Sequence, residues 1–195
     1  VCRPQVHHSS FTATGSCCTV INFKIKLLAL ILSIDTAGET AIVCISRDGV
    51  LLAESVGMEQ KNHASFVQPA IQHLMATAML ELHDADAIAV VAGPGSYTGL
   101  RVGLSTAKGL CYALGKPLIL LNTLEVMAHA MINAGQSGTE SGEKTGLTPL
   151  HTCYCPMIDA RRMEVFTGVY DQQLTTILPP TALVLTADSF SDLLE

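Results

Sequence analysis

The stretch that most constrains this chain is 92–103, Ala-Gly-Pro-Gly-Ser-Tyr-Thr-Gly-Leu-Arg-Val-Gly, which joins the apolar run Ala87–Val91 to an amphipathic segment reaching Leu114. That order reads as strand, glycine loop, helix. Gly93 and Gly95 admit backbone angles closed to other residues, Pro94 stiffens the turn, and Ser96 or Thr98 can cap the helix by accepting its free amide hydrogens. A helix N-terminus with open N–H groups attracts anions, so phosphate cradling is one reading, with Arg101 as a nearby fixed charge. The other is a tight strand-to-helix turn without a ligand. The stretch has neither the Lys-Ser/Thr ending of a P-loop nor the G-x-G-x-x-G spacing of a dinucleotide site, which weighs toward the turn.

Around this unit the chain alternates strand and helix patterns. Three strands are expected at Leu27–Ile34, Ala41–Ser46 and Val50–Val56, the last two joined by Arg47-Asp48-Gly49, a hairpin signal. Phe66, Val67, Ala70, Ile71, Leu74, Met75, Ala78, Met79 and Leu82 recur at three- and four-residue spacing and predict one helix, with Pro69 tolerated near its first turns. A strand at 87–92 leads into the glycine loop, and the next helix carries Leu100, Leu104, Ala107, Cys111 and Leu114 as a heptad-like seam. Gly99, Gly103 and Gly109 within it permit close backbone approach. Leu118–Leu121 reads as a strand and Leu124–Ile132 as a helix, followed by a flexible loop at 135–148, rich in Gly, Ser, Thr and Glu. Thr152–Ile158 and Glu164–Tyr170 are expected to form a strand pair, and a capped helix is expected to start at Thr186 with about two turns left, so the C-terminus reads as truncated. Residues 1–26 lack periodicity and open on Val, and they read as a disordered tail or start-site artefact. The remainder divides into an N-terminal lobe, 27–121, and a second lobe, 122–195.

Composition sets the bounds. The 195 residues are 49% hydrophobic and 14% charged, enough to fill a sizeable core. A net charge of −6 weighs against broad contact with a phosphate backbone, which relies on clustered Lys and Arg. Seven cysteines, odd in number and mostly within apolar segments, suit reduced thiols in the cytoplasm rather than a disulfide framework. Cys153-Tyr154-Cys155 has no second pair at metal-ligand spacing and is expected to supply two core thiols. The apolar run after Lys24 and Lys26 is followed by Asp35 rather than a cleavage site, and it is short of the roughly 20 residues a membrane helix needs. No membrane association is expected.

Taken whole, the glycine stretch, followed by Ala107-Lys108-Gly109-Leu110 and Gly115-Lys116-Pro117, resembles the bacterial TsaB (YeaZ-like) family. The likeness runs from Leu30 to Asp171 and includes Ile34-Asp35-Thr36-Ala37, His63 followed by Pro69, and Ile158-Asp159-Ala160-Arg161-Arg162-Met163-Glu164-Val165. It implies a two-lobed α/β protein of actin-like (ribonuclease-H-like) fold, with mixed sheets flanked by helices. The element order agrees: three antiparallel strands, then helix, strand, helix, strand, helix. The resemblance further implies a non-catalytic dimerisation subunit for threonylcarbamoyl transfer to the adenosine beside the tRNA anticodon. Its partners would be a TsaD-type catalytic subunit, a TsaE-type ATPase reached through the heterodimer, and tRNA indirectly, with a homodimer as an alternative. ATP and metal would sit on those partners, none being bound tightly by this chain.

Site residues follow from the same likeness. The family pairs through its first two helices, which here offer His63, Ile71, Leu74, Met75, Leu100, Leu104, Ala107 and Cys111. Asp35, Thr36, Gly93, Gly95, Ser96 and Arg101 stand as a vestigial phosphate or nucleotide loop, although a strand-ending Asp can equally cap its own turn. The sister TsaD family carries a metal-binding His-x-x-x-His, and its two histidine places hold Thr123 and Met127 here. Neither is an imidazole, so no catalytic or metal-binding residue is assigned. His129 nearby has no His one turn away and is expected to be structural. The rival reading is an enzyme, an actin-fold ATPase or kinase or a metalloprotease, against which the missing histidines count.

Overall fold

The structure, a computed structural model, describes residues 29–59, 62–137, 152–186 and 189–191. The expected tail at 1–26, the loop beyond residue 137 and most of the expected C-terminal helix lie outside these. Five strands form the first sheet: β1 (Leu30–Asp35), β2 (Ala41–Arg47), β3 (Val50–Gly57), β4 (Ala87–Val91) and β5 (Leu118–Leu121), in the order β3-β2-β1-β4-β5. The first three are antiparallel neighbours, and β4 and β5 run parallel to β1. The β2–β3 turn places Asp48 and Gly49 at φ 54° and 79°, as a two-residue turn between twisted strands demands.

Alternation decides which face of this sheet is covered. Leu30, Leu32 and Ile34 of β1, Val43 and Ile45 of β2, and Ile88 and Val90 of β4 share one core cluster. Two helices close over it. α1 (His63–Thr77) buries His63, Val67, Ala70, Ile71, Leu74 and Met75, and α2 (Tyr97–Leu114) buries Gly99, Gly103 and Ala107. Each large apolar side chain sealed here contributes roughly 1.5–3 kcal/mol. α1 ends earlier than its apolar spacing suggests. Met79 takes a left-handed φ of 54° and is 91% exposed, and Leu82 belongs to a short 3-10 turn. Since α1 starts at His63, Pro69 falls in the second turn. It lies on the exposed side of the helix.

The second sheet holds β6 (Met157–Arg161), β7 (Glu164–Tyr170) and β8 (Thr176–Val184), in that order and all antiparallel. α3 (Thr123–Ser137) packs Leu124 and Ala128 against Tyr170. It continues through 135–137, so the expected loop starts later than the Gly and Ser content implied. β6 also starts later than expected, because Tyr154 makes only a single bridge to Tyr170. Tyr154 packs inward there, while Cys153 is exposed and Cys155 half-buried. The pair is therefore not two core thiols. β8 was not anticipated. Its Pro179 and Pro180 sit on an edge strand, beside register shifts between Thr167 and Val169 of β7, where missing donors are tolerated.

Candidate functional site

The glycine loop sits where β1, α2 and α3 converge. Asp35 Oδ1 accepts from the Ala37 amide at 2.9 Å, so its carboxylate closes the turn after β1. The next residue, Thr36, is buried, and its hydroxyl donates to the Gly99 carbonyl of α2 at 2.7 Å. The Ser96 amide donates to the Ala37 carbonyl at 2.7 Å, and the Thr123 amide at the start of α3 donates to the Gly93 carbonyl at 3.0 Å. Ser96 caps α2, its hydroxyl accepting from the Gly99 amide at 3.3 Å.

These bonds explain the glycines as packing. A Cβ at Gly95 would stand 2.5 Å from the Ala37 carbonyl oxygen. One at Gly99 would overlap the Thr36 carbonyl oxygen, and one at Gly103 the Thr36 hydroxyl. Gly95, Gly99 and Gly103 thus form a stripe at four-residue spacing on which α2 sits against the end of β1. Gly109, two turns further along the same helix, has open space around it.

Outside this contact, Gly95, Ser96, Tyr97 and Thr98 line one wall of a cleft of about 730 Å³. Glu39 lines another wall, and Asp159, Arg161 and Phe166 of the second sheet complete it. Its charges are mixed, two carboxylates and one guanidinium. Arg101, expected near the loop as a fixed positive charge, does not line the cleft; its guanidinium lies over the Tyr97 ring at 5.4 Å. Of the six residues expected as a phosphate loop, Asp35, Thr36, Gly93, Gly95 and Ser96 come together, chiefly through bonds to one another's elements.

The expected partner-facing residues divide by burial. His63, Ile71, Leu74, Met75 and Ala107 are within the core of this chain, and Leu100, Leu104 and Cys111 are half-buried beside it. His63 is 2% exposed, and its Nε2 lies 3.1 Å from the Glu39 carbonyl, tying the start of α1 to the β1–β2 loop. A charge introduced at Leu74 or Met75 would disrupt the core before it reached any partner. Residues that do face outward are ones the apolar pattern passes over. On α2 these are Tyr97, Arg101, Ser105, Lys108 and Tyr112; on α1 they are Gln68, Pro69, Gln72, His73 and Ala76. The signal available in sequence is the complement of the helical apolar face, polar or aromatic at the same spacing.

Two of the described cysteines are shifted away from reactivity. Burial pushes the Cys44 thiol up from its ordinary value, a bond to Ser33 partly opposing it, and burial alone raises Cys111. Both are thereby held as poor nucleophiles. Cys155 bonds to Thr167 at 3.3 Å, and Thr167 in turn donates to the Pro156 carbonyl. Thr123 and Met127 lie on the first turns of α3, and His129 is exposed and bonded to Asn133. Among the described residues no three His, Cys, Asp or Glu side chains are grouped to hold a metal ion, and no helix is long and apolar enough to cross a membrane.

Comparison with known proteins agrees with this architecture. Residues 57–194 match the family described as TsaD, tRNA N6-adenosine threonylcarbamoyltransferase. The chain is 32% identical over 158 residues to the tRNA threonylcarbamoyladenosine biosynthesis protein TsaB of Bacillus subtilis, covering 80% of this chain and 62% of that one. It is 32% identical over 142 residues to the Escherichia coli protein of the same name, covering 73% and 55%. YeaZ from Pseudomonas aeruginosa superimposes with a TM-score of 0.62 at 28% identity, over 80% of this chain and 67% of that one. The chain therefore spans a little over half the length of these curated relatives. With a mixed sheet flanked by helices and a family match over most of its length, the chain belongs to the family described as TsaD, tRNA N6-adenosine threonylcarbamoyltransferase, and it is similar to the TsaB and YeaZ proteins.

Proposed function

We propose that this chain is a non-catalytic scaffold that pairs with a TsaD-type subunit through the outward faces of α1 and α2 and so supports threonylcarbamoyl transfer to the adenosine beside the anticodon. The observation that carries the reading is the division of labour within these helices. Their inward faces are used up on the sheet, whereas Tyr97 and Tyr112 of α2 stand 74% and 92% exposed. Aromatic side chains presented to solvent on a rigid helix are anchors of the kind that dominate protein interfaces. The glycine stripe supports this role by fixing α2 rigidly against β1. The N-terminal lobe, 27–121, supplies this surface, and 122–195 belongs to the second lobe. The protein works in the cytoplasm, and nucleotide, metal and most tRNA contacts belong to the TsaD-type and TsaE-type partners.

Co-purification of the full protein with the TsaD-type subunit of its own genome is the test. Tyr112→Ala is expected to weaken that complex about tenfold while leaving the fold intact, in line with loss of an interface anchor. Retention of unchanged affinity in Tyr112→Ala and in Tyr97→Ala would contradict it. Elemental analysis should find no stoichiometric zinc or iron on the isolated chain; one tightly held ion per chain would overturn the assignment of metal to the partner.

A further inference from the structure

We propose that the cleft beside the glycine loop binds a small zwitterion of the α-amino-acid class, with its ammonium held at Glu39 and its carboxylate at Arg161. This does not depend on the partner face of α1 and α2. At about 730 Å³ the cleft is within the range of roughly 300–1,000 Å³ usual for small-molecule sites. Its walls come from three separate stretches, the loop after β1, the start of α2 and the β6–β7 hairpin. Charges of opposite sign therefore face one space from different elements. Among the described residues neither Glu39 nor Arg161 takes part in an ion pair, although both line this cleft. Their charged ends are not in contact, and a third group can stand between them.

Both residues are anchored through their backbones, which leaves their side chains to the cleft. The Glu39 carbonyl lies 3.1 Å from Nε2 of the buried His63, so the loop carrying Glu39 is tied to the start of α1. The Arg161 amide donates to Asp159 Oδ1 at 2.7 Å, and Arg161 sits at φ 69°, followed by Arg162 and Met163 at 57° and 64°. Three consecutive left-handed residues without a glycine make an unfavoured turn, and strain of this kind gathers where a side chain must be aimed. On the α2 wall, the amides of Tyr97 and Thr98 find no acceptor among the described residues, so the positive end of the helix, about half a charge, adds to Arg161. Ile158 and Phe166 supply an apolar wall.

Charge decides the class of ligand. Two carboxylates, Glu39 and Asp159, share the cleft with one guanidinium and one helix end. A nucleoside diphosphate brings several negative charges and meets no lysine on these walls. A simple anion leaves Glu39 without a partner, and a simple cation leaves Arg161 without one. An α-amino acid carries one charge of each sign and a side chain for the apolar wall, three groups for the three kinds of surface present.

The experiment uses the full protein, with the proteinogenic L-amino acids at about 10 mM as probes and ADP as the anionic contrast. Binding is read by saturation-transfer NMR and then by titration, in wild type, Glu39→Gln and Arg161→Gln, with circular dichroism to check folding. We expect at least one amino acid to bind with a Kd at or below about 1 mM, and each variant to weaken it more than tenfold. Analogues of that amino acid lacking either the ammonium or the carboxylate are expected to lose binding to wild type by a similar factor, a readout that needs no variant. Failure of folded wild type to bind any amino acid overturns the proposal, as does an affinity unchanged in either folded variant or in either analogue. ADP bound in place of the amino acids, and more tightly by Glu39→Gln, overturns the zwitterion assignment.

Discussion

Thr36 and the glycines above it are the residues on which the geometry turns. Replacing Gly103 by Ala puts a methyl onto the Thr36 hydroxyl, and Gly99→Ala puts one onto a backbone oxygen that cannot rotate away. Overpacking of this kind costs about 1–3 kcal/mol. Gly109→Ala, on the same helix with open space around it, is expected to stabilise by about 0.5–1 kcal/mol through helix propensity alone. Urea denaturation of the three variants should therefore move the midpoint down twice and up once; equal shifts would show that α2 does not seat on β1 through its glycines. Thr36→Val keeps the shape but leaves the Gly99 carbonyl without its 2.7 Å donor, for an expected loss of about 1–3 kcal/mol. The close approach was legible in the sequence as glycines at helical spacing. What they approach was not, because Thr36 lies 63 positions away from Gly99 and only the folded sheet brings it there.

At the scale of elements, the parts with strong local chemistry were readable. The Asp48-Gly49 hairpin, the run from β4 through the glycine loop into α2, and the bounds of β5 and β7 all follow from turn residues and periodicity. The end of α1 did not, since Met79 continues the apolar spacing but adopts a left-handed φ, with the Leu80 amide donating to the Met75 carbonyl to close the helix end. β8 was missed because two prolines interrupt its pattern, and an edge strand accommodates them by shifting register. The apolar positions of α1 were recognised, yet their direction was not: Ile71, Leu74 and Met75 are buried in the core of this chain. Leu74→Ala is accordingly expected to cost about 2–5 kcal/mol in stability, measured by denaturation of the isolated chain; a loss below 1 kcal/mol would place Leu74 outside the core. In the β7–β8 turn, the Asp171 carboxylate is held below its ordinary value, first by the Thr175 amide and further by the Thr175 side chain and the Gln173 amide, with desolvation opposing. A depressed carboxylate stabilises the fold above its unfolded-state value and loses that contribution as pH falls through its folded value. Asp171→Asn should therefore flatten the stability profile across the acid range, and an unchanged pH dependence would remove Asp171 as a contributor.

For the molecule as a whole, the scaffold proposal expects tRNA to be reached through the partner. The sequence carries 11 Lys and Arg against 17 Asp and Glu, a balance that weighs against broad binding to a phosphate backbone. Isolated protein is expected to bind tRNA no more tightly than about 10 µM at physiological salt. A submicromolar affinity by filter binding would assign the chain a direct part in tRNA recognition. The family could be read from the glycine stretch because its glycines are demanded by packing; the outward faces of α1 and α2 could not, because solvent-facing residues leave no apolar period. The measurement that bears most directly on the scaffold reading is reconstituted threonylcarbamoyladenosine formation on tRNA, with the TsaD-type and TsaE-type partners present and this protein supplied as wild type, as the Tyr112→Ala variant, or omitted. The account predicts product only when the wild-type protein is present, none from this protein by itself, and a loss in the variant that parallels its loss of heterodimer. Product formed by this protein alone, or formed undiminished when it is left out, would contradict the account.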